Sequence, residues 1–323
     1  MTSTDRPRAF LCRRFTAPVE AALHERFALQ INEDDSILSS ADIVHRAQGC
    51  ELLFVSATEA VDAATIRSLA PTLRIIATLS VGHDHIDLAA AREAGVRVLH
   101  TPDVLSDACA EVALMLLLNA CRRGFEADRL VRSGAWAGWA PTQLLGMGLV
   151  GRRLGIFGMG RIGRAIAHRA RAFGVHIHYH NRSRLDVAQE AGATYHATLD
   201  EMLAVSDILM VAAPGAPALR GTLNAQRLAR LPAGAVVVNI SRGDLIDDDA
   251  LLALLRSGHV RAAGLDVFAN EPRVHTGYLK LDNVFLSPHI GSATHETRDA
   301  MGWLLIEGTA ALSRGETPNN LLV

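Results

Sequence analysis

Lysine is nearly missing from this chain. Lys280 is the only one in 323 residues, so arginine supplies the rest of the 32 basic side chains. A count of arginines is therefore no argument for phosphate or nucleic acid. With 34 acidic residues the formal net charge is −2, which gives no reason to expect nucleic acid or an anionic membrane as partner. Cysteine is scarce as well. Cys12, Cys50, Cys109 and Cys121 lie far apart with no C-x-x-C; neither a disulfide framework nor a zinc site is implied, which fits a reducing cytoplasm. Long apolar runs are also missing. The longest, 112–118, is too short to cross a bilayer, and residues 1–14 lack the apolar centre of a signal peptide. No repeat or low-complexity tract is visible. What remains is a globular composition, 49% hydrophobic and 20% charged. The chain is long enough to bury a large core and to divide into two domains.

Against this background the stretch 153–184, RLGIFGMGRIGRAIAHRARAFGVHIHYHNRSR, organises the rest. Residues 154–157 form an apolar run with the look of a buried strand. Gly158, Met159, Gly160, Arg161, Ile162 and Gly163 follow at once. Residues 162–173 carry apolar side chains at helical spacing and Gly174 stands where a helix stops. Residues 175–180 read as a second strand. This is a βαβ half-unit with G-x-G-x-x-G at its first turn. Gly158 allows the tight turn, Gly160 lets backbone approach a pyrophosphate, and Gly163 lets helix pack on strand. The helix N-terminus offers unpaired N–H groups to phosphate. An NAD-binding unit usually ends its second strand with Asp or Glu on the ribose 2′-hydroxyl. Here Asn181, Arg182, Ser183 and Arg184 stand there, with no acid before Asp186. Two guanidiniums and a hydroxyl suit a 2′-phosphate, so NADPH is expected as cofactor, with NADH possible and less favoured. A solvated basic turn is the alternative.

Before this unit the pattern alternates. Strands are expected at 9–12, 51–56, 74–80 and 97–100, and helices at 19–27, 62–70 and 88–94. Asp87 caps the last of these and Gly95 ends it. That predicts a small parallel α/β domain. Residues 106–122 read as a long apolar helix and 126–132 as a second. The loop at 134–141, GAWAGWAP, holds two of the three tryptophans and is expected to pack on something. Further strands are expected at 207–213, 235–240, 260–267 and 283–287, with helices at 224–231 and 247–258. Six strands alternating with helices suit a doubly wound sheet. A closing helix at 293–314 is expected to return to the first domain.

Three stretches fall at predicted C-terminal strand ends, where open α/β sheets bind ligands. They are 239–244 (NISRGD), 265–272 (LDVFANEP) and 287–294 (SPHIGSAT). Each delivers one ionisable side chain. Reducing a carbonyl requires a proton donor, a cation to polarise the oxygen and hold a carboxylate, and a partner that keeps the donor charged. His289, Arg242 and Glu271 fit those roles by type, because a carboxylate favours the protonated imidazole and orients it. Each alone also reads as an ordinary surface or capping residue. The alternating His176, His178 and His180, and the pair His83 and His85, have a spacing that could place metal ligands on one strand face; a His-rich exposed face is the simpler reading, and no metal is expected.

These motifs, with SVGHDHID at 80–87, occur in the order found in the D-isomer-specific 2-hydroxyacid dehydrogenases, which the chain resembles over nearly its whole length. Within that family it is most similar to the glyoxylate/hydroxypyruvate reductases, through 101–123, the WAGWAP loop and 290–298. The resemblance implies two domains. Residues 1–100 and 290–323 would form a smaller flavodoxin-like parallel α/β substrate domain. Residues 101–289 would form a Rossmann-type doubly wound domain that includes a dimerisation arm, 106–141. It implies His289 as proton donor, Glu271 as its partner and Arg242 as substrate clamp, with catalysis in the cleft between domains. Backbone N–H groups of Val81 and Gly82 would hold the substrate carboxylate, with Ser292 nearby. Ala213, Pro214, Ile240, Ser241, Arg242, Asp266, His289 and Gly291 would join the glycine turn around the cofactor. Trp139 would reach the neighbouring subunit's active site in a homodimer. Two departures bear on nicotinamide contacts. Cys109 stands where the family often has Thr, and Pro214-Gly215-Ala216-Pro217 replaces a Leu-Thr-Pro type sequence.

The expected activity is NADPH-preferring reduction of glyoxylate, hydroxypyruvate or a related small 2-oxo acid to the D-2-hydroxy acid, in the cytoplasm. An NAD-linked dehydrogenase of another 2-hydroxy acid, such as phosphoglycerate, is the alternative among enzymes. A dinucleotide-sensing corepressor is the alternative outside them, though the chain shows no stretch to spare for the partner-binding tails such proteins carry.

Overall fold

Short runs of buried aliphatic residues set the strands, and side-chain caps set most of the helices between them. The structure, a computed structural model, describes residues 6–323. The described residues divide into two units, one reaching to Leu105 and including Ser292–Val323, the other Ser106–Gly291. These divisions lie a few residues beyond those expected at 100 and 290.

The first unit alternates β1 (Arg8–Leu11), α1 (Ala17–Arg26), β2 (Ala28–Ile31), α2 (Ser40–Arg46), β3 (Leu52–Val55), α3 (Ala63–Leu69), β4 (Ile75–Thr78), α4 (Leu88–Glu93) and β5 (Arg97–Leu99). Its five strands are parallel in the order β2-β1-β3-β4-β5, the flavodoxin-like arrangement. Central β3 is buried along its whole length, whereas edge strand β2 is half-exposed. That exposure, with no β-branched run in ALQI, explains why β2 was not expected. The helices start on side-chain oxygens. Asp62 accepts from the Thr65 amide, Asp87 from that of Ala90, and Ser39 forms a capping box with Asp42. The closing helix, His295–Ser313, belongs to this unit. A Cβ at Gly302 would lie 2.5 Å from Val19 on α1, so hydrogen at position 302 lets the two helices touch.

The second unit begins with α5 (Ser106–Arg122) and α6 (Gly124–Arg132). Then follow β6 (Arg153–Phe157), α7 (Arg161–Ala170), β7 (His176–His180), α8 (Val187–Glu190), β8 (Thr194–Tyr195), α9 (Leu199–Val205) and β9 (Ile208–Val211). The unit ends with α10 (Ala225–Leu228), β10 (Ala235–Asn239), α11 (Asp248–Ser257), β11 (Val260–Leu265) and β12 (Val284–Leu286). All strands are parallel, in the order β12-β11-β10-β9-β6-β7-β8. This is the doubly wound Rossmann order, extended by one strand and reversing between β6 and β9. Seven strands stand where six were expected, because β8 is only two residues long. Apolar clusters cover both faces.

Helix α5 packs within its own unit: Leu116 and Leu117 are fully buried, and Val112, Leu114, Met115 and Leu118 are partly buried against the same cluster. A Cβ at Gly264 of β11 would lie 2.8 Å from the Leu116 carbonyl, so helix and sheet meet closely there. The tryptophan loop differs. Trp136 is 52% and Trp139 82% exposed, so the described chain leaves this loop uncovered. No helix among the described residues is long and apolar enough to cross a membrane.

Candidate active site

Parallel strands end in loops on one edge of a sheet, and the second unit places its chemistry there. At the end of β6 the glycine turn divides its work as its spacing requires. Gly158 has φ +97°, and a Cβ on it would lie 2.4 Å from Ala213 backbone. A Cβ on Gly163 would lie 2.4 Å from the Gly158 carbonyl. Gly160, by contrast, would meet nothing within 4 Å; it opens outward at the N-terminus of α7. Two glycines thus let the chain close on itself, and the third leaves approach to N–H groups that can hold an anion. These residues fit a dinucleotide pyrophosphate.

The end of β7 carries the four residues expected at a ribose. Asn181 turns its Oδ1 back to accept the Met159 amide at 2.6 Å, tying this strand end to the glycine turn. Arg182 and Ser183 are exposed. Arg184 is engaged elsewhere. Its Nε and Nη2 donate to Glu190 Oε1 and Oε2 at 2.7 and 3.0 Å, and its guanidinium lies over Tyr195. Glu190 also accepts the buried Tyr179 hydroxyl at 2.6 Å. Together the Arg184 guanidinium and the Tyr179 hydroxyl hold its carboxyl down at about 2. Glu190 was not singled out in the sequence, since a single Glu on a four-residue helix gives no signal.

Strands β9, β10, β11 and β12 deliver the remaining groups. The Ser241 hydroxyl donates to the Ala213 carbonyl. Buried Asn239, also absent from the expected set, donates to the Arg242 carbonyl at 2.9 Å and accepts the Ser241 amide at 3.0 Å. Its place as the one polar residue ending the run AVVV was the available clue. A Cβ at Gly243 would fall on Phe268 backbone, 1.9 Å away, so this glycine lets the NISRG and LDVFA turns pack together. Arg242 Nη1 donates to the Ser241 carbonyl at 2.9 Å.

Asp266 is 1% exposed and anchors the last turn. Its carboxylate accepts Ser287 Oγ at 2.6 Å and the amides of Ile290 and Gly291, both at 2.9 Å. Its own carbonyl accepts the His289 amide at 2.8 Å. Burial pushes the Asp266 carboxyl up, and these donors pull it part of the way back. The anchor holds His289 at φ 53°, a left-handed conformation that a side-chain-bearing residue adopts only when its surroundings enforce it. A Cβ at Gly291 would lie 3.2 Å from Cys109 Sγ.

His289 Nδ1 meets Glu271 Oε2 at 2.7 Å, and Glu271 Oε1 accepts the Phe268 amide at 2.9 Å. Burial works against the charged carboxylate, but the hydrogen bond and charge of His289, with the Phe268 amide and the Arg242 charge, outweigh it and hold Glu271 below its usual range. A carboxylate can only accept, so Nδ1 carries a proton. Nε2 is left as the nitrogen that can exchange one. An imidazole oriented by a carboxylate, next to a guanidinium loop, can protonate an oxygen and pair with an anion.

The structure thus brings His289 to Glu271, Asp266 to Gly291, Ser241 to Ala213, and Met159 to Asn181. Ile240 follows β10 and Pro214 follows β9 on the same edge. Val81, Gly82 and Ser292 belong to the other unit. Of the histidines on the two candidate metal stretches, His178 Nδ1 meets His196 Nε2 at 2.9 Å, His180 Nδ1 meets the His196 carbonyl at 3.0 Å and His85 Nε2 meets Thr78 Oγ1 at 2.9 Å.

Known proteins resemble this chain in sequence and fold. Residues 114–291 match the model of the D-isomer specific 2-hydroxyacid dehydrogenase NAD-binding domain. A glyoxylate reductase of Thermococcus onnurineus is 39% identical over 322 residues, 98% of this chain and 96% of its own. A solved D-isomer specific 2-hydroxyacid dehydrogenase from Polaromonas is 66% identical with TM-score 0.94, covering 98% of this chain and all (100%) of that one. An NADPH-dependent glyoxylate/hydroxypyruvate reductase from Sinorhizobium meliloti, solved with NADP and malonate, is 34% identical with TM-score 0.89, covering 99% of this chain and 97% of its own. With glycine turn, anchored histidine and carboxylate partner all at the strand ends of a Rossmann sheet, the chain belongs to the D-isomer-specific 2-hydroxyacid dehydrogenase family, enzymes that work with a nicotinamide dinucleotide.

Proposed function

We propose that this enzyme reduces glyoxylate, hydroxypyruvate or a closely related small 2-oxo acid to the D-2-hydroxy acid, with NADPH preferred over NADH. The observation that carries the reading is the 2.7 Å contact of His289 Nδ1 with Glu271. It fixes the ring and leaves Nε2–H to protonate a carbonyl oxygen as it gains negative charge. When bound, the dinucleotide supplies hydride to the carbonyl carbon. Arg242 polarises the same oxygen and pairs with the substrate carboxylate. The N–H groups of Val81 and Gly82 hold that carboxylate as well, with Ser292 beside them. Ile162, Arg161, Ala213, Pro214, Ile240 and Asp266 line the cofactor, and Arg182 with Ser183 receives the 2′-phosphate.

A second copy of the chain covers the arm at 106–141. Helix α6 has no buried residue, and Phe125, Val131 and Trp139 are all exposed; a two-fold interface is the commonest way to cover such a surface. The enzyme works in the cytoplasm, where its four cysteines stay reduced. Turnover of a panel of 2-oxo acids with each coenzyme tests the reading. Fastest kcat/KM is expected for glyoxylate or hydroxypyruvate with NADPH. Absence of turnover with every acid would leave dinucleotide sensing as the activity.

A further inference from the structure

The segment 80–83 has an unusual run of pinned carbonyls. The Ser80 carbonyl accepts the Thr101 amide at 2.9 Å. The Val81 carbonyl is met by His100 Nδ1 at 3.1 Å. The Gly82 carbonyl accepts the Ser80 hydroxyl at 2.6 Å. In a trans peptide the C=O and the following N–H point in opposite directions. Three carbonyls held inward therefore turn the N–H groups of Val81, Gly82 and His83 the other way. Among the described residues those three amides donate to no acceptor. Such a row of N–H groups is an anion cradle.

The pins differ in kind. One is backbone, and one is a serine inside the same loop. Ser80 itself is fixed by Thr78 Oγ1 at 2.7 Å, which His85 Nε2 meets at 2.9 Å. The central pin is the side chain of the residue that follows β5. A carbonyl oxygen can only accept, so His100 Nδ1 is the donor. His100 is in turn clamped at its backbone. Its amide donates to the Asn320 carbonyl at 3.0 Å, and buried Asn320 returns Nδ2 to the His100 carbonyl at 3.1 Å.

We infer that His100 is a positioning residue for substrate: through its Nδ1–H it sets the plane of the Val81–Gly82 peptide and so aims the Gly82 N–H at the substrate carboxylate. The inference rests on the reading of Val81 and Gly82 as carboxylate ligands. It assigns His100 no contact with substrate and no part in proton transfer.

Two substitutions separate the donor from the ring. His100→Phe keeps a planar ring and removes the donor. His100→Asn loses the ring but places an amide Nδ2–H on Cγ, where Nδ1 stood. Losing one neutral hydrogen bond that aims the cradle should raise both the KM for glyoxylate and the Ki of oxalate roughly 3- to 10-fold in His100→Phe. The KM for NADPH should stay unchanged, as should kcat at saturating glyoxylate. His100→Asn should restore both substrate constants. A purely structural role would move melting temperature and coenzyme KM together and would not be rescued by Asn. Oxalate that competes with glyoxylate in the wild type, but keeps its Ki in His100→Phe, would overturn the role of His100 alone. Oxalate that fails to compete in the wild type would overturn the carboxylate cradle itself.

Discussion

Arg184 grips Glu190 with two prongs, Nε to Oε1 at 2.7 Å and Nη2 to Oε2 at 3.0 Å, so the second arginine of the NRSR segment is a brace for its loop. In the proposed NADPH complex the 2′-phosphate then falls to Arg182 and Ser183. A hydrogen bond to a charged group contributes about 1.5–3 kcal/mol, so Arg182→Ala should raise the KM for NADPH roughly 10- to 100-fold and barely touch NADH. Arg184→Ala should shift both coenzymes by smaller, similar factors. Steady-state KM values for the two coenzymes decide it. A selective NADPH defect in Arg184→Ala as large as in Arg182→Ala would return Arg184 to the phosphate.

The same pair makes a pH prediction. Glu190 is lowered from 4.5 to about 2, chiefly by the Arg184 guanidinium and then by the Tyr179 hydroxyl. A carboxyl with a depressed folded value stabilises the fold above its unfolded value and loses that contribution as pH falls toward the folded one. Wild type should therefore exceed Glu190→Gln in melting temperature at neutral pH. The gap should close on acidification from about pH 4.5 towards pH 2, the window those two values define. Melting curves that stay parallel across this window would refute the ionic account.

Removing the imidazole should cost catalysis and spare binding. His289→Ala should lose about 10²–10⁴ in kcat if the ring is the general acid. Glu271→Ala removes the acceptor that orients the ring. The proton donor is then no longer held, so kcat for reduction should fall while the KM for coenzyme stays. An unchanged kcat would break the pairing of the two residues.

Trp139 should matter to substrate size. Its ring is 82% exposed in the single chain, and the proposed homodimer places it at the partner's substrate. Trp139→Gly should still sediment as a dimer and should accept bulkier 2-oxo acids relative to glyoxylate. A monomer at micromolar wild-type concentration would remove the dimer, and an unchanged substrate profile would remove the ring from the pocket.

Much of this was legible in the residues, for reasons that also explain the gaps. Strands such as β9 (ILMV) and β10 (AVVVN) are buried throughout and read as unbroken apolar runs. Asp87 and Asp247 announced their helices and do cap them. Strand β8 carries two residues and no pattern. Helix α9 was overlooked although its signature was present, since Thr198 and Glu201 form a capping box. His289, Glu271 and Arg242 could be picked out by type because each lies in a loop that follows a strand. The engagement of Arg184 could not, because it depends on where Tyr179 and Glu190 meet after folding.

Asn181 joins two demands in one side chain. Its Oδ1 accepts the Met159 amide at 2.6 Å and its Nδ2 donates to the Met159 carbonyl at 3.4 Å; an aspartate could keep the first bond and would lose the longer second one. Asn181→Asp should therefore keep the shorter tie to the turn while adding charge at the proposed 2′-phosphate position. NADPH should lose affinity to repulsion, and NADH should gain an acceptor for its 2′-hydroxyl; the ratio of the two KM values reads the change. Coenzyme preference at this position is thereby tied to the glycine turn: the NH2 that an acid would replace is also the donor to the Met159 carbonyl.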